Sequence, residues 1–504
     1  MGFAALCRES LKMIRTPSRW LTALLLLTQL LTNCHSLPDP AAAEAPSNHR
    51  FNVLLIVADD LGEEVSPYGD PYARTPNLER FARRAVKYTN AYVTQSSCSP
   101  SRSSILTGLY PHQTGQVGLA HMGISMDSTY DNLFSLFHAS GYTTGILGKL
   151  HVQPREAFPI DYGLGGGDTW ISTRPDTVAM TVQVTDVDGT EKELVERFTR
   201  YDVDVVADSA AAFIHRSAPD PFMLMVNYLD PHRPFRNQIA GHPARPLTPD
   251  DVQMPGYLPP ADEQLVQDVV GYYNGVSRFD EALGLLMDRM DELGLWGNTI
   301  VVVLGDHGAP LPNAKMTVSE AGLRIPLFVH YPGQSESAEY PGLVSTVDLL
   351  PTLLRLTGQP APAYALPGMD LRQLQDGKVP PRTYLFAEYT RHVPAQLFPQ
   401  RTVRDARYKL IYSPFQDAFA GHTDGLRTHH QPTYLRYAAT PEWQLFDLRE
   451  DPHERLNLIG TPGMDTIRDR LSNELSEWQH STEDLLLTPA YSQEIRRQIG
   501  ELLY

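Results

Sequence analysis

Phe51-Asn52-Val53-Leu54-Leu55-Ile56-Val57-Ala58 runs directly into Asp59-Asp60. A continuous apolar run of this length belongs to a strand covered on both faces, as in a parallel sheet; a half-exposed strand would place a polar residue at every second position. Three more stretches read as apolar strands: Tyr142 to Leu147, Phe222 to Tyr228 and Thr299 to Leu304. Helical patterns lie between them. Thr75-Pro76 opens an amphipathic helix to about Val86, with Thr as cap and Pro at the first position; Leu133 to Ser140 is closed by Gly141; Val203 to Arg216 and Glu263 to Leu293 follow. The alternation predicts an α/β sandwich around a mostly parallel sheet.

The pattern changes from about Pro380. Thr383 to Tyr389, Arg401 to Tyr412 and Glu442 to Leu448 are strand-like, and an amphipathic helix runs from about Asp465 to Trp478. A large domain over 50–379 and a smaller C-terminal α+β domain over 380–504 are expected, which suits a chain of 504 residues that is 42% hydrophobic.

The N-terminus reads as an address. Arg8, Lys12, Arg15 and Arg19 precede an apolar run from Trp20 to Leu31, a secretory-signal pattern too short for a membrane span. The signal is expected over 1–34 and a Pro- and Ala-rich linker over 35–49. Leu31-Thr32-Asn33-Cys34 resembles a lipoprotein cleavage box, although Asn33 stands where a small residue is usual. Two exported fates stay open: lipid anchoring through Cys34, or simple secretion to the periplasm or beyond. Of three cysteines, Cys7 and Cys34 fall in the signal, so Cys98 is alone in the mature chain without a disulfide framework. The net charge of −17, from 42 Lys+Arg against 59 Asp+Glu, argues against a nucleic-acid partner; an anionic substrate must meet a local basic pocket.

Ligands of open α/β sheets bind beyond the carboxyl ends of the strands. There the four strands deliver Asp59-Asp60, Lys149 with His151, Asp230-Pro231-His232-Arg233 and Asp306-His307. A single such ending is an ordinary loop charge, but four on one edge indicate a site. Asp59, Asp60 and Asp306 are hard oxygen donors suited to Ca²⁺ or Mg²⁺, whereas the imidazole of His307 fits such a cation less well. Lys149, His151, His232 and the downstream Lys315 supply positive donors and proton carriers for a tetrahedral oxyanion, as in phosphoryl or sulfuryl transfer. Cys98 precedes Ser99-Pro100, which read as the cap and first residue of a helix; this puts residue 98 at a helix N-terminus, with Arg102 one turn in. An inert thiol and a thiolate nucleophile are both consistent with that placement.

Cys98-Ser99-Pro100-Ser101-Arg102, ending in Leu106-Thr107-Gly108, resembles the signature of the sulfatase family, and the other stations follow in family order over roughly residues 50–480. The resemblance implies an alkaline-phosphatase-like fold and a formylglycine made from Cys98 by a formylglycine-generating enzyme. It further implies Ca²⁺, with Mg²⁺ as the alternative, held by Asp59, Asp60, Asp306 and His307, where many relatives carry Asn at the last position. In the implied mechanism one hydroxyl of hydrated formylglycine attacks sulfur, Arg102 steadies that group, and Lys149 and Lys315 bind the sulfate. His232 assists the leaving group and His151 deprotonates the second hydroxyl. Asp230 and Arg233, beside His232, are expected substrate contacts; Asp230 could hold a sugar hydroxyl or the histidine.

Ser96 to Arg102, Ile146 to Val152, Asp230 to Arg233 and Asp306 to Pro312 are similar to the sulfamidase (heparan N-sulfatase) branch, which has Arg where this chain has Lys315. Glu320 to Pro326 looks more like sulfatases at large. The expected substrate is a sulfated saccharide, with the N-sulfate of a terminal glucosamine first and an O-sulfate of another glycan second. A phosphonate or phosphate monoester hydrolase and a non-catalytic glycan-binding lipoprotein are the remaining readings.

Overall fold

The computed structural model describes residues 50–164, 176–185, 191–200, 203–394, 396–420 and 439–503. The expected signal and linker, with Cys7 and Cys34, lie outside the described residues. Among the described residues no helix is long and apolar enough to cross a membrane.

The strands are β1 (Asn52–Asp59), β2 (Val86–Tyr92), β3 (Thr143–Leu147), β4 (Tyr162–Leu164), β5 (Asp176–Thr185), β6 (Glu191–Arg200), β7 (Phe222–Pro231), β8 (Thr299–Gly305), β9 (Arg324–Ile325), β10 (Leu327–His330), β11 (Ala338–Ser345), β12 (Leu385–Arg391), β13 (Leu397–Arg404), β14 (Tyr408–Tyr412) and β15 (Trp443–Asp447). The longer helices are α1 (Pro76–Ala82), α2 (Cys98–Thr107), α3 (Leu133–Ala139), α4 (Val203–Ser217), α5 (Glu263–Glu292), α6 (Leu349–Thr357), α7 (Asp465–Ser481) and α8 (Pro489–Leu503).

β1 is buried throughout and pairs in parallel with both β7 and β8. Its alternate side chains feed two separate layers. Val53, Leu55 and Val57 pack with Ile105 of α2, Phe134 of α3 and Leu350 of α6. Leu54, Ile56 and Ala58 face the layer holding Phe81 of α1, Phe213 of α4 and Val276 of α5. This double cover explains the absence of polar alternation in the strand, each large buried side chain contributing about 1.5–3 kcal/mol. The sheet runs β11-β2-β10-β8-β1-β7-β3-β4, with β9 on β2. It is mostly parallel, as expected; β10 opposes both β8 and β2. β5 and β6 form a separate antiparallel ribbon.

The C-terminal region forms a small antiparallel sheet, β12-β13-β14-β15. The α7 side chains Leu471, Leu475 and Trp478 pack on Val403, Leu410 and Leu445. The expected single stretch from Arg401 to Tyr412 is instead a hairpin, because the Asp405 carboxylate accepts the Arg407 and Tyr408 N–H groups and turns the chain. The helix expected from Thr75 to Val86 stops at Ala82, and Thr75 does not cap it; its hydroxyl accepts the Ser66 N–H instead.

Candidate active site

The site stands at the carboxyl ends of β1, β3, β7 and β8. Between Ala58 and Asp59 the register of β1 against β7 slips by a bulge, which re-aims the residues that follow. Asp60 (φ 70°) and His151 (φ 55°) both occupy the left-handed region, an unfavourable conformation for residues with a Cβ that clusters at functional sites. Two glycines permit the close packing beneath. A Cβ on Gly148 (φ 84°) would sit 2.3 Å from the Asn227 carbonyl oxygen, and one on Gly308 would sit 1.9 Å from that of Ala321.

α2 begins at Cys98, with Ser97 as its N-cap residue, which corrects the expected start at Ser99-Pro100. Ser99 is drawn into the helix because its hydroxyl accepts the Ala120 N–H at 3.0 Å. Cys98 keeps the position that matters, a buried helix N-terminus, where unpaired N–H groups favour an anion. Its Sγ lies 3.4 Å from His307 Nε2 and 3.5 Å from Lys315 Nζ. Burial opposes thiolate formation there, but the charges of Lys149, Lys315 and His307 prevail and hold the thiol well below its ordinary range.

Asp59, Asp60 and Asp306 each present an oxygen within 4.8 Å of the others. Arg102, fully buried one turn into α2, ties the group together. Its Nε donates to Asp306 Oδ2 at 2.9 Å, and its terminal nitrogens reach Asp59 (3.3 Å), the Lys149 carbonyl (3.0 Å) and Asn227 Oδ1 (2.7 Å). Lys149 Nζ donates to both Asp59 oxygens at 3.0 and 2.7 Å, and Lys315 Nζ to Asp60 Oδ1 at 2.7 Å. Burial pushes Asp59 upward, yet Lys149 keeps it far below the usual carboxylate range; burial and the neighbouring Asp59 charge push Asp306 up to about 7. Three crowded carboxylates, one reluctant to ionise, are a donor set that a divalent cation would relieve. Asp60 Oδ2, buried without a hydrogen bond, fits such an ion. His307 fits too. Nδ1–H is donated to the Gly308 carbonyl at 2.9 Å and Nε2 lies 3.1 Å from Asp60 Oδ1. Burial opposes the imidazolium, but Asp306 and Asp60 raise the ring to about 9, and a bound cation would take the place of the Nε2 proton.

His151 is buried near Cys98 and makes a 2.8 Å contact through Nε2 with His121 Nδ1. His232 places Nε2 3.8 Å from Asp60 Oδ2, with Nδ1 on the Arg233 carbonyl. The structure therefore brings Asp59, Asp60, Cys98, Arg102, Lys149, His151, His232, Asp306, His307 and Lys315 into one cluster. Asp230 and Arg233 are engaged elsewhere. Asp230 accepts two hydrogen bonds from buried Arg278 (3.1 and 2.7 Å), while Arg233 pairs with Asp268 at 2.8 Å and donates to the Pro310 carbonyl.

Four residues of the surroundings were not foreseen. Asn227 was legible in principle, as the one amide in the apolar strand β7. Arg278, His121 and His392, whose Nδ1 lies 2.8 Å from Ser97 Oγ, carry no local signal, since each reaches the site from a helix or loop remote in sequence.

The sulfatase family model matches residues 51–359, and a model described as N-sulphoglucosamine sulphohydrolase, C-terminal, matches 313–420. N-sulphoglucosamine sulphohydrolase of Homo sapiens is 29% identical over 86% of this chain and 90% of its own length. Arylsulfatase A of Bos taurus is 30% identical over 83% and 84%, and an ulvan-active sulfatase of Formosa agariphila 27% over 87% and 76%. Two solved structures share the fold. One, in complex with its substrate D-glucosamine-2-N,6-O-disulfate, has a TM-score of 0.62 at 20% identity, covering 86% of this chain and 98% of its own. The other, phosphonate monoester hydrolase of Agrobacterium radiobacter, has a TM-score of 0.66 at 19% identity, covering 87% and 97%. With the signature cysteine at a helix N-terminus among carboxylates and ammonium groups, and that match over most of the described body, the chain belongs to the sulfatase family, hydrolases of sulfuric esters and sulfamates.

Proposed function

We propose that this sulfatase removes the N-sulfate of a terminal glucosamine, using a formylglycine formed from Cys98. The observation that carries the substrate is the similarity to N-sulphoglucosamine sulphohydrolase along 90% of that protein, together with the C-terminal family match across Lys315 and His392. Hydrated formylglycine supplies a hydroxyl nucleophile and a second hydroxyl whose deprotonation permits sulfate release. Ca²⁺, with Mg²⁺ second, held by Asp59, Asp60, Asp306 and His307, would add positive charge where the sulfate oxygens bind.

The chain's own groups do the rest. Lys149 and Lys315 neutralise the sulfate as its charge shifts in the transition state. Arg102, with its donors committed to Asp59, Asp306, Asn227 and the Lys149 carbonyl, fixes the carboxylates and the base of α2. His232, its Nε2 3.8 Å from Asp60 Oδ2, is the proton donor to the departing nitrogen, since an amine leaves well only when protonated. His151 is the base for the second hydroxyl. Burial and the Lys149 charge hold it down at about 4, so it is neutral and ready to accept a proton at ordinary pH. The basic, apolar N-terminus supports export, with the modification installed by a formylglycine-generating enzyme.

The O-sulfate reading is supported by the identity to arylsulfatase A and the ulvan-active sulfatases. The two separate on kcat/KM for N-sulfoglucosamine, glucosamine 6-O-sulfate and a 2-O-sulfated uronic acid, measured as released sulfate. The sulfamate should win by up to about 10⁴-fold. An O-sulfated sugar ahead by a wide margin overturns the substrate assignment.

A further inference from the structure

His121 stands outside every role assigned so far. It lies on the short turn Ala120–Met122, exposed to solvent, while its partner His151 is buried. The Nδ1 to Nε2 contact is 2.8 Å and the two rings are nearly parallel, 10° apart. The turn is pinned at its start, and the chain is held again four residues beyond its end. Ala120 N–H donates to Ser99 Oγ next to Cys98, and Met126 N–H donates to the Gln153 carbonyl just beyond His151. The other nitrogen of His151, Nδ1, is buried without a hydrogen-bond partner. One nitrogen of His151 is thus committed to an exposed imidazole and the other is left open. Lys149, Cys98 and His121 are the charged and titratable groups that face the ring. A buried imidazole beside an ammonium group cannot retain a proton for long, so the proton needs a way out.

We propose that His121 is a positioning and relay residue that carries to solvent the proton His151 takes up. This rests on the reading of His151 as the base. A proton from the second hydroxyl of the formylglycine arrives at His151 Nδ1, the proton on His151 Nε2 passes to His121 Nδ1, and the proton on His121 Nε2 passes to water. Within the relay one proton is gained and one lost at each ring, and no bond between heavy atoms changes. An imidazole is suited to this because its two nitrogens can gain and lose protons on opposite sides near neutral pH.

The test compares mature wild type with His121→Gln, His121→Ala and His151→Ala, using an aryl sulfate so that sugar specificity plays no part. Glutamine can still accept the hydrogen bond from His151 Nε2 but cannot relay the proton. Both His121 variants should lose about 10- to 100-fold in kcat with KM nearly unchanged. Added imidazole should restore part of the His121→Ala loss. In ¹⁵N spectra of the histidine side chains, wild-type His151 should be protonated at Nε2, and that hydrogen-bonded signal should shift in His121→Ala. A wild-type kcat in His121→Gln overturns the relay. A loss unmoved by imidazole, with the His151 tautomer changed, overturns it in favour of a purely supporting contact. Full activity in His151→Ala instead removes the base assignment on which the relay rests, while the glucosamine reading depends only on the sugar panel.

Discussion

Arg102 and Arg401 are both fully buried guanidinium groups set between two carboxylates, yet their surroundings differ. Arg401 donates to both oxygens of Asp484 at 2.6 and 2.9 Å and lies 3.2 Å from Glu388. Glu388 also holds His112, Gln479 donates to Asp484, and the remaining Arg401 nitrogen reaches backbone carbonyls. Around Arg102 the two carboxylates belong to a larger group that also contains two lysines, a stabilised thiolate and an Asp60 oxygen with no hydrogen bond. Around Arg401 every carboxylate oxygen and guanidinium nitrogen is partnered and only the His112 Nε2 is not, which makes a cluster that fixes a fold; one with an open carboxylate oxygen can meet a ligand. The comparison can be tested by removing pieces from each cluster and asking whether activity or stability fails.

The largest effect is expected at the nucleophile. Cys98→Ala should lower kcat by about 10⁴-fold or more while the unfolding midpoint moves only slightly, since a small residue at the start of α2 costs little packing. Activity assays beside thermal melts check both halves, and mass spectrometry of the wild-type peptide should show formylglycine at 98. An active enzyme with an unmodified thiol would break the open-cluster reading at its centre.

Next come the carboxylates. Asp59→Ala and Asp306→Ala should abolish stoichiometric Ca²⁺ in metal analysis and lower kcat/KM by about 10³-fold. Wild type, but neither variant, should gain about 2–3 kcal/mol of unfolding free energy when Ca²⁺ is raised to about a hundred times its dissociation constant. Unchanged turnover after complete chelation would remove these residues from metal binding.

At the closed cluster the readouts reverse. Arg401→Met should cost about 3–5 kcal/mol of stability by stranding Glu388 and Asp484 in the interior. The fraction that remains folded should turn over at the wild-type rate. Arg102→Met should lose both, because Arg102 also holds Asp59 and Asp306. Equal activity losses in the two variants would show that the closed cluster shapes the site as well.

These clusters also show what a sequence can reveal. Val53 to Ala58 announced its place because a strand covered on both faces has no room for polar alternation, and the acidic and basic strand ends followed from parallel packing. The start of α2 was misplaced because Ser99 and Pro100 look like a cap pair, whereas a distant N–H at Ala120 engages the Ser99 hydroxyl. The antiparallel intrusion of β10 between β8 and β2 left no mark, since its apolar residues are those of any buried strand. His121 and His392 were hidden for a related reason. The hydrogen bond between the Leu119 N–H and the His392 carbonyl joins two loops nearly three hundred residues apart, and no local periodicity reports such a contact.

The smallest effect sharpens the closed side of the comparison through pH. Glu320 is buried; it accepts Tyr92 and Arg404 on one oxygen and Lys409 on the other at 3.0 Å. Burial pushes its carboxyl up, but Lys409 and Arg404 outweigh that and hold it at about 2, below the ordinary 4.5. A carboxyl depressed in the folded state stabilises the fold fully above its unfolded pKa and loses that contribution as the pH falls. The window here runs from about 4.5 down to about 2. Glu320→Gln should therefore cost about 2–3 kcal/mol near pH 7, and the gap to wild type should close as the pH approaches 2. Lys409 retains Glu454 at 2.8 Å, and Arg404 retains hydrogen bonds to the Tyr92 hydroxyl and the Asp405 carbonyl, so the fold should survive the change. Denaturant unfolding of both proteins at pH 7, 4 and 3 gives the comparison, and kcat/KM at pH 7 should agree within about twofold. A gap that stays constant with pH would mean that the Glu320 contribution is packing rather than charge, and that this network owes little to its ion pairs.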